Sequence, residues 1–176
     1  MLALFPFISC KGRAMATDVL PNQSGSRTQP GGSATRQLLI DALNEDLARE
    51  YQAIIAYVVY SQVIKGAAYM KIAKELEKHA TEELQHALTI SKQIDYLGGM
   101  PTVVPKEVKT SDDPKQLLQF DLDNETETIR HYRQRVKQCE TAGEYAIAEH
   151  IRQILVQEQD HQIELATALG QEVPRT

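Results

Sequence analysis

The sequence predicts an all-α fold, a four-helix bundle with one long crossover between its second and third helices. Three observations predict it. Apolar residues recur at steps of three and four from about Ser33 almost to the end, the spacing that keeps side chains on one helix face. Glycine- and proline-containing breaks cut this pattern into four long segments. Two of the connections are very short and one is long. With 176 residues and 42% hydrophobic content, the chain is long enough for one compact domain with a sizeable core.

Before the first helix, residues 15 to 32 (MATDVLPNQSGSRTQPGG) are polar, rich in Ser, Gly and Pro, and aperiodic, so they bury too little to offset the entropy of ordering. Residues 1–32 are therefore expected to form a disordered tail without chemistry, and residues 33–176 the bundle. The opening MLALFPFISC is apolar but too short to span a membrane, and it lacks a basic leading region and a cleavage site. Translation from Met1 and from Met15 both fit.

The first helix is expected over 33 to 63, ended near Gly66. The second runs from 67 to 97 and stops at LGGMP, residues Leu97 to Pro101. SDDP at Ser111 to Pro114 opens the third, with Asp as N-cap and Pro in the first turn, and it runs from 114 to 141. Gly143 separates it from the fourth, 144 to 169. The short turns make antiparallel hairpins of helices one and two and of three and four. Between the hairpins lie sixteen residues, GGMPTVVPKEVKTSDD. They reach up to roughly 50 Å, against about 46 Å for the second helix, so the linker can traverse the bundle.

Composition removes several functions. A net charge of -5 without grouped Lys and Arg argues against nucleic acid as partner and suits the handling of cations. Cys10 and Cys139 show neither disulfide-framework nor metal-ligand spacing, which fits a reducing, cytoplasmic setting and no membrane association.

Each core seam carries an anomaly. The first reads Ile40, Leu43, Leu47, Glu50, Ile54, Tyr57, and the second Ile72, Leu76, His79, Glu83, His86, Ile90. The third reads Leu118, Leu122, Glu125, Ile129, Tyr132, Val136, and the fourth Ile147, Ile151, Ile154, Glu158, His161, Leu165. Glu50 is followed at intervals of 7, 33 and 36 residues by Tyr57, Glu83 and His86, and Glu125 by Tyr132, Glu158 and His161 at the same intervals. The halves form an internal repeat. Two hairpins related by a pseudo-twofold axis would gather four carboxylates and two imidazoles in mid-bundle.

Four carboxylates close together in a core cannot all ionise without cations, and two divalent ions cancel their charge. Two E-x-x-H pairs place a carboxylate and an imidazole side by side on one helical face. Glu83 and Glu158 are expected to bridge, Glu50 and Glu125 to bind terminally, and His86 and His161 to give one nitrogen to each ion. Mixed oxygen and nitrogen donors with open positions suit iron or manganese, two ions per chain, better than a closed zinc site. Glu82, Glu127 and Asp160 are expected to be solvated charges, and His131 and His150 surface residues. His79 reads as a satisfied core histidine or an accessory ligand, and Tyr57 and Tyr132 as core tyrosines or as hydrogen-bond partners of the site. Cys139 reads as a small buried hydrophobe.

The segments LNEDLAREYQAIIAY, EELQHA, QEQDH, DLDNETE and YLGGMP resemble bacterioferritin and its relatives in the ferritin-like superfamily, over nearly everything after Ser33. The resemblance implies an iron-oxidising centre on Glu50, Glu83, His86, Glu125, Glu158 and His161, the set the spacing selects, with Tyr57 matching the family tyrosine beside it. It also implies a homo-oligomer, ferrous iron as substrate, and oxygen or peroxide as oxidant, in iron storage or detoxification. Two departures modify this. Leu84 stands where bacterioferritins carry the methionine that binds haem, so no haem is expected. Only fifteen residues follow His161, too few for the family's fifth helix, so a twelve-subunit shell or a dimer replaces the usual cage as the expectation. The rival functions are a rubrerythrin-like peroxidase or a di-iron hydroxylase with permanently held metals, and, from another class, a metal-free structural bundle.

Overall fold

The computed structural model describes residues 30–175. Among them the chain forms α1 (Pro30–Val63), a single 3-10 turn (Ala67–Tyr69), α2 (Met70–Tyr96), α3 (Pro114–Thr141) and α4 (Tyr145–Leu169), with no strand. α1 starts inside the stretch expected to be tail. The remainder of that tail, Cys10 and both candidate start residues lie outside the described residues. α2 starts later than expected because the chain leaves Gly66, at a φ of 121° open to few other residues, into a tight turn closed by Tyr69 N–H donating to the Gly66 carbonyl at 3.0 Å.

The other ends follow their sequence signals. Asp113 caps α3, its carboxylate accepting from Lys115 N–H at 3.0 Å, and Pro114 occupies the first turn, where no backbone N–H is needed. α4 ends at Gly170 in the left-handed region, φ 67°, where the Gln171 N–H closes back onto the Ala166 carbonyl at 2.9 Å.

α1 packs along α2 and α3 along α4; the hairpins meet through α1 and α3, and more sparingly through α2 and α4. The crossover lies along α1. Asn44 donates to the Met100 carbonyl at 3.1 Å and accepts from Thr102 N–H at 2.6 Å. Farther along, Lys106 N–H donates to Ala48 O, Gln52 to Glu107 O, and the Tyr60 hydroxyl to Lys109 O. The linker thus covers the length from Asn44 to Tyr60 and delivers α3 to the far end of the bundle, which orients the second hairpin against the first.

The apolar core has two parts. One is built around Leu43, Leu47, Ile90, Ile94, Ile147 and Ile151, the other around Tyr60, Leu76, Leu118, Leu122 and Leu165. Ile54 and Val136, expected on the seams, are only partly buried and pack against the first part. Between the two parts lies a polar layer.

Candidate metal centre

That layer holds all six predicted ligand residues. Glu50 (α1), Glu83 and His86 (α2), Glu125 (α3), and Glu158 and His161 (α4) are each buried. They converge as two overlapping groups, Glu50, Glu83, His86 and Glu158, and Glu83, Glu125, Glu158 and His161, each with its donor atoms within 4.8 Å of one another. The two residues shared by both groups are Glu83 and Glu158. Each divides its oxygens between the halves: His86 Nδ1 lies 2.9 Å from Glu83 Oε2 and 3.2 Å from Glu158 Oε1, and His161 Nδ1 lies 2.9 Å from Glu83 Oε1 and 3.4 Å from Glu158 Oε2. Glu50 Oε2 closes the first group at 3.4 Å from His86 Nδ1, and Glu125 Oε1 the second at 3.8 Å from His161 Nδ1.

Glu50 Oε2, Glu83 Oε1, both Glu158 oxygens and His161 Nδ1 are buried without a hydrogen-bond partner. Buried polar atoms are normally satisfied, so five orphans aimed at one small volume match a cation as the missing partner. The carboxylate and imidazole donor set fits iron or manganese.

The electrostatics of the metal-free site are balanced by protons. Burial pushes Glu50 and Glu125 up, reinforced by the neighbouring carboxylates Glu83 and Glu158, so both hold a proton. Burial also opposes ionisation of Glu83 and Glu158, but the facing imidazoles of His161 and His86 outweigh it and hold both down. Burial works against charge on the imidazoles as well, and their carboxylate partners again win, raising both; His161 is pushed up to about 12. Two imidazoliums therefore face two carboxylates and two neutral carboxyls.

The tyrosines cross the repeat. Tyr57 donates to Glu125 and Tyr132 to Glu50, so each hydroxyl reaches the glutamate of the opposite hairpin, not the one on its own helix. Burial, with the adjacent glutamate, raises both phenols and keeps them protonated.

Several surrounding residues escaped the sequence reading. The outer nitrogen of His86 donates to Gln157 Oε1 at 2.9 Å, and that of His161 donates to Glu82 Oε2 at 3.0 Å. Glu82, expected to be a solvated charge, is thus turned onto the site, reaching from α2 to His161 on α4. Asp46 and Arg135 form a buried two-pronged ion pair, Nε to Oδ2 at 2.6 Å and the second nitrogen to Oδ1 at 3.0 Å. Asp121 is buried as well, and its Oδ2 has no partner; burial, then Glu83, pushes its carboxyl well up. One signal was present in the sequence: Asp46 and Asp121, and Glu82 and Gln157, stand at the same interval as Glu50 and Glu125.

His79 is fully buried, stacks on His161 with ring centroids 4.0 Å apart, and lies 2.8 Å from Glu164 Oε2 through its Nε2. Burial and then His161 lower its pKa; its Nδ1 is buried without a partner, and with Glu82 and His161 it forms a third group whose donor atoms lie within 4.8 Å of one another. Glu127 and Asp160 are exposed and His131 and His150 partly so, as expected. Cys139 is buried, and burial pushes its thiol up to about 11.

Fold and site together define an all-helical bundle with a middle layer of carboxylates and imidazoles suited to two metal ions. The chain belongs to the ferritin-like family: the family model described as Ferritin-like domain matches residues 40–172. Among relatives, it is 30% identical over 124 residues to the bacterioferritin of Desulfovibrio desulfuricans, covering 70% of this chain and 69% of that protein. It is 25% identical over 143 residues to the bacterioferritin of Brucella melitensis, covering 76% and 88%. A ferritin-like, diiron-carboxylate protein from Bacillus anthracis superposes with a TM-score of 0.74 at 32% identity, over 77% of this chain and 97% of that one. A dodecameric thioferritin, the bacterioferritin-related protein of Bacteroides fragilis, gives 0.71 at 29% identity, over 77% and 86%. Among the described residues, no helix is long and apolar enough to cross a membrane.

Proposed function

We propose that this protein oxidises ferrous iron at the mid-bundle site and stores or detoxifies the ferric product. The observation that carries this reading is the division of the Glu83 and Glu158 oxygens between two donor sets, which is the arrangement of bridging ligands for a pair of ions. Glu50 and Glu125 serve as terminal ligands, and His86 and His161 as one nitrogen ligand each, with Nδ1 toward the ion and Nε2–H held by Gln157 and Glu82. Tyr57 and Tyr132 fix the orientation of the terminal carboxylates by donating to Glu125 and Glu50. Paired iron supplies two electrons to an oxygen or peroxide oxidant, and the protein contributes ligand geometry and burial. Two divalent ions replace the protons of the metal-free site and balance the four carboxylates, so the layer stays neutral without reorganising the bundle.

Leu84 offers no sulfur to a haem iron, so the purified protein is expected to show no haem absorption band after expression with ample haem. The protein works as a homo-oligomer, in the cytoplasm. Ile55, Val58, Val59 and Leu88 are exposed on α1 and α2, as is Leu84, and self-association would remove this apolar surface from water.

The deciding experiment is aerobic addition of ferrous iron well beyond two ions per chain. Storage predicts continued oxidation and a soluble ferric core inside a shell, visible by electron microscopy. A burst that stops at about two ions per chain, with further iron precipitating at the uncatalysed rate, would instead establish a cofactor-type di-iron enzyme.

A further inference from the structure

The repeat that builds the site is broken in two places around it. Each histidine ligand is backed through its outer nitrogen by the residue at one matching position of the opposite hairpin. For His161 that residue is a carboxylate, Glu82, at 3.0 Å; for His86 it is an amide, Gln157, at 2.9 Å. A carboxylate behind a metal-bound imidazole draws on its N–H and makes the other nitrogen a stronger donor, more than an amide does. The second break lies one turn before each terminal glutamate. Asp46, before Glu50, is already matched by the buried Arg135 guanidinium. Asp121, before Glu125, has no cationic partner, and its Oδ2 is buried and unpaired. The position matching Arg135 in the first half is Tyr60, which carries no charge and donates its hydroxyl to the Lys109 carbonyl.

The first break favours one half: the Glu125/His161 position has a carboxylate behind its histidine where the Glu50/His86 position has an amide. The second leaves a protonated carboxyl beside Glu125 and a neutral ion pair beside Glu50, so it does not separate the two positions by charge. Two nearby groups bear on the balance. Lys78 lies 3.5 Å from Glu82 Oε1, but it is exposed and its charge is screened by solvent. Glu164, next to the stacked His79, adds negative charge to the favoured half.

We propose that the two metal positions are built unequal, the Glu125/His161 position filling first and holding its ion more tightly, with Glu82 as the positioning residue that sets the difference. The inference rests on the two-ion reading above. Its consequence is an ordered site, in which one ion is retained while the other exchanges.

Cobalt(II) is a suitable probe, added anaerobically to chelator-treated full-length protein and followed by its d–d absorption. The parent should bind two ions in two steps separated by at least about tenfold, the scale on which partners behind a metal ligand act. Glu82→Gln keeps the acceptor for His161 and loses only charge; it should weaken the first step by about tenfold and leave the second unchanged. Gln157→Glu should do the reverse, strengthening the second step and closing the gap. Two equal steps in the parent, or a gap unmoved by both Glu82→Gln and Gln157→Glu, would overturn the inequality while leaving the two-ion site standing. Failure to bind cobalt at all would overturn the site itself.

Discussion

At the scale of single residues, the site depends on groups that are costly to bury alone. Glu83→Ala or Glu158→Ala removes a donor from both ions, so fast iron oxidation should disappear while circular dichroism still reports four helices. Iron oxidation rates equal to the parent's would remove these residues from the mechanism. Asp121 gives a stability prediction for the metal-free protein. Its folded pKa lies above the unfolded value, so the folded state keeps a proton that the unfolded chain releases as pH rises above 3.8. The penalty is absent below that pH and grows until the folded pKa is passed. Asp121→Asn should therefore stabilise the metal-free protein by about 1 to 3 kcal/mol near neutrality. The gap in thermal midpoint should narrow as pH falls toward 4, and a gap independent of pH would contradict the assignment.

At the scale of elements, α1 and α3 are tied across the hairpin interface by Asp46 and Arg135, and the crossover is tied to α1. Asp46→Ala leaves the Arg135 guanidinium buried without its partner, at a cost of about 3 to 5 kcal/mol; urea denaturation should show a correspondingly lower midpoint. Gly99 marks where the crossover touches α1. A Cβ there would come within 2.5 Å of Ile40 Cγ2. Gly99→Ala should lower stability by about 1 to 3 kcal/mol through overpacking, detectable in the same denaturation series.

For the whole molecule, the question is how the two hairpins combine into one charge-balanced layer. Without metal, His86 and His161 are raised, as are Glu50 and Glu125, so the layer carries protons that ligation must displace. Metal uptake in weakly buffered solution should acidify the medium, and affinity should rise with pH. No acidification on saturation would mean that the ions bind elsewhere.

The sequence by itself determined the bundle, its breaks and the six converging residues, because helical period and repeat interval are local or numerical properties that need no coordinates. Glu50, Glu83, His86, Glu125, Glu158 and His161 each interrupt an apolar seam, and an ionisable residue on a seam is conspicuous. It did not determine who pairs with whom. Tyr57 shares a helix face with Glu50 yet donates to Glu125, and Glu82 looks like one more surface charge until α4 brings His161 beneath it. Asp46 and Asp121 occupy the same place in the repeat, and only the packing of α1 against α3 gives one of them an arginine and leaves the other bare. Pairing across helices depends on rotation and axial offset between hairpins, which the crossover and the interlocked cores fix together, and no periodicity within a single helix records it.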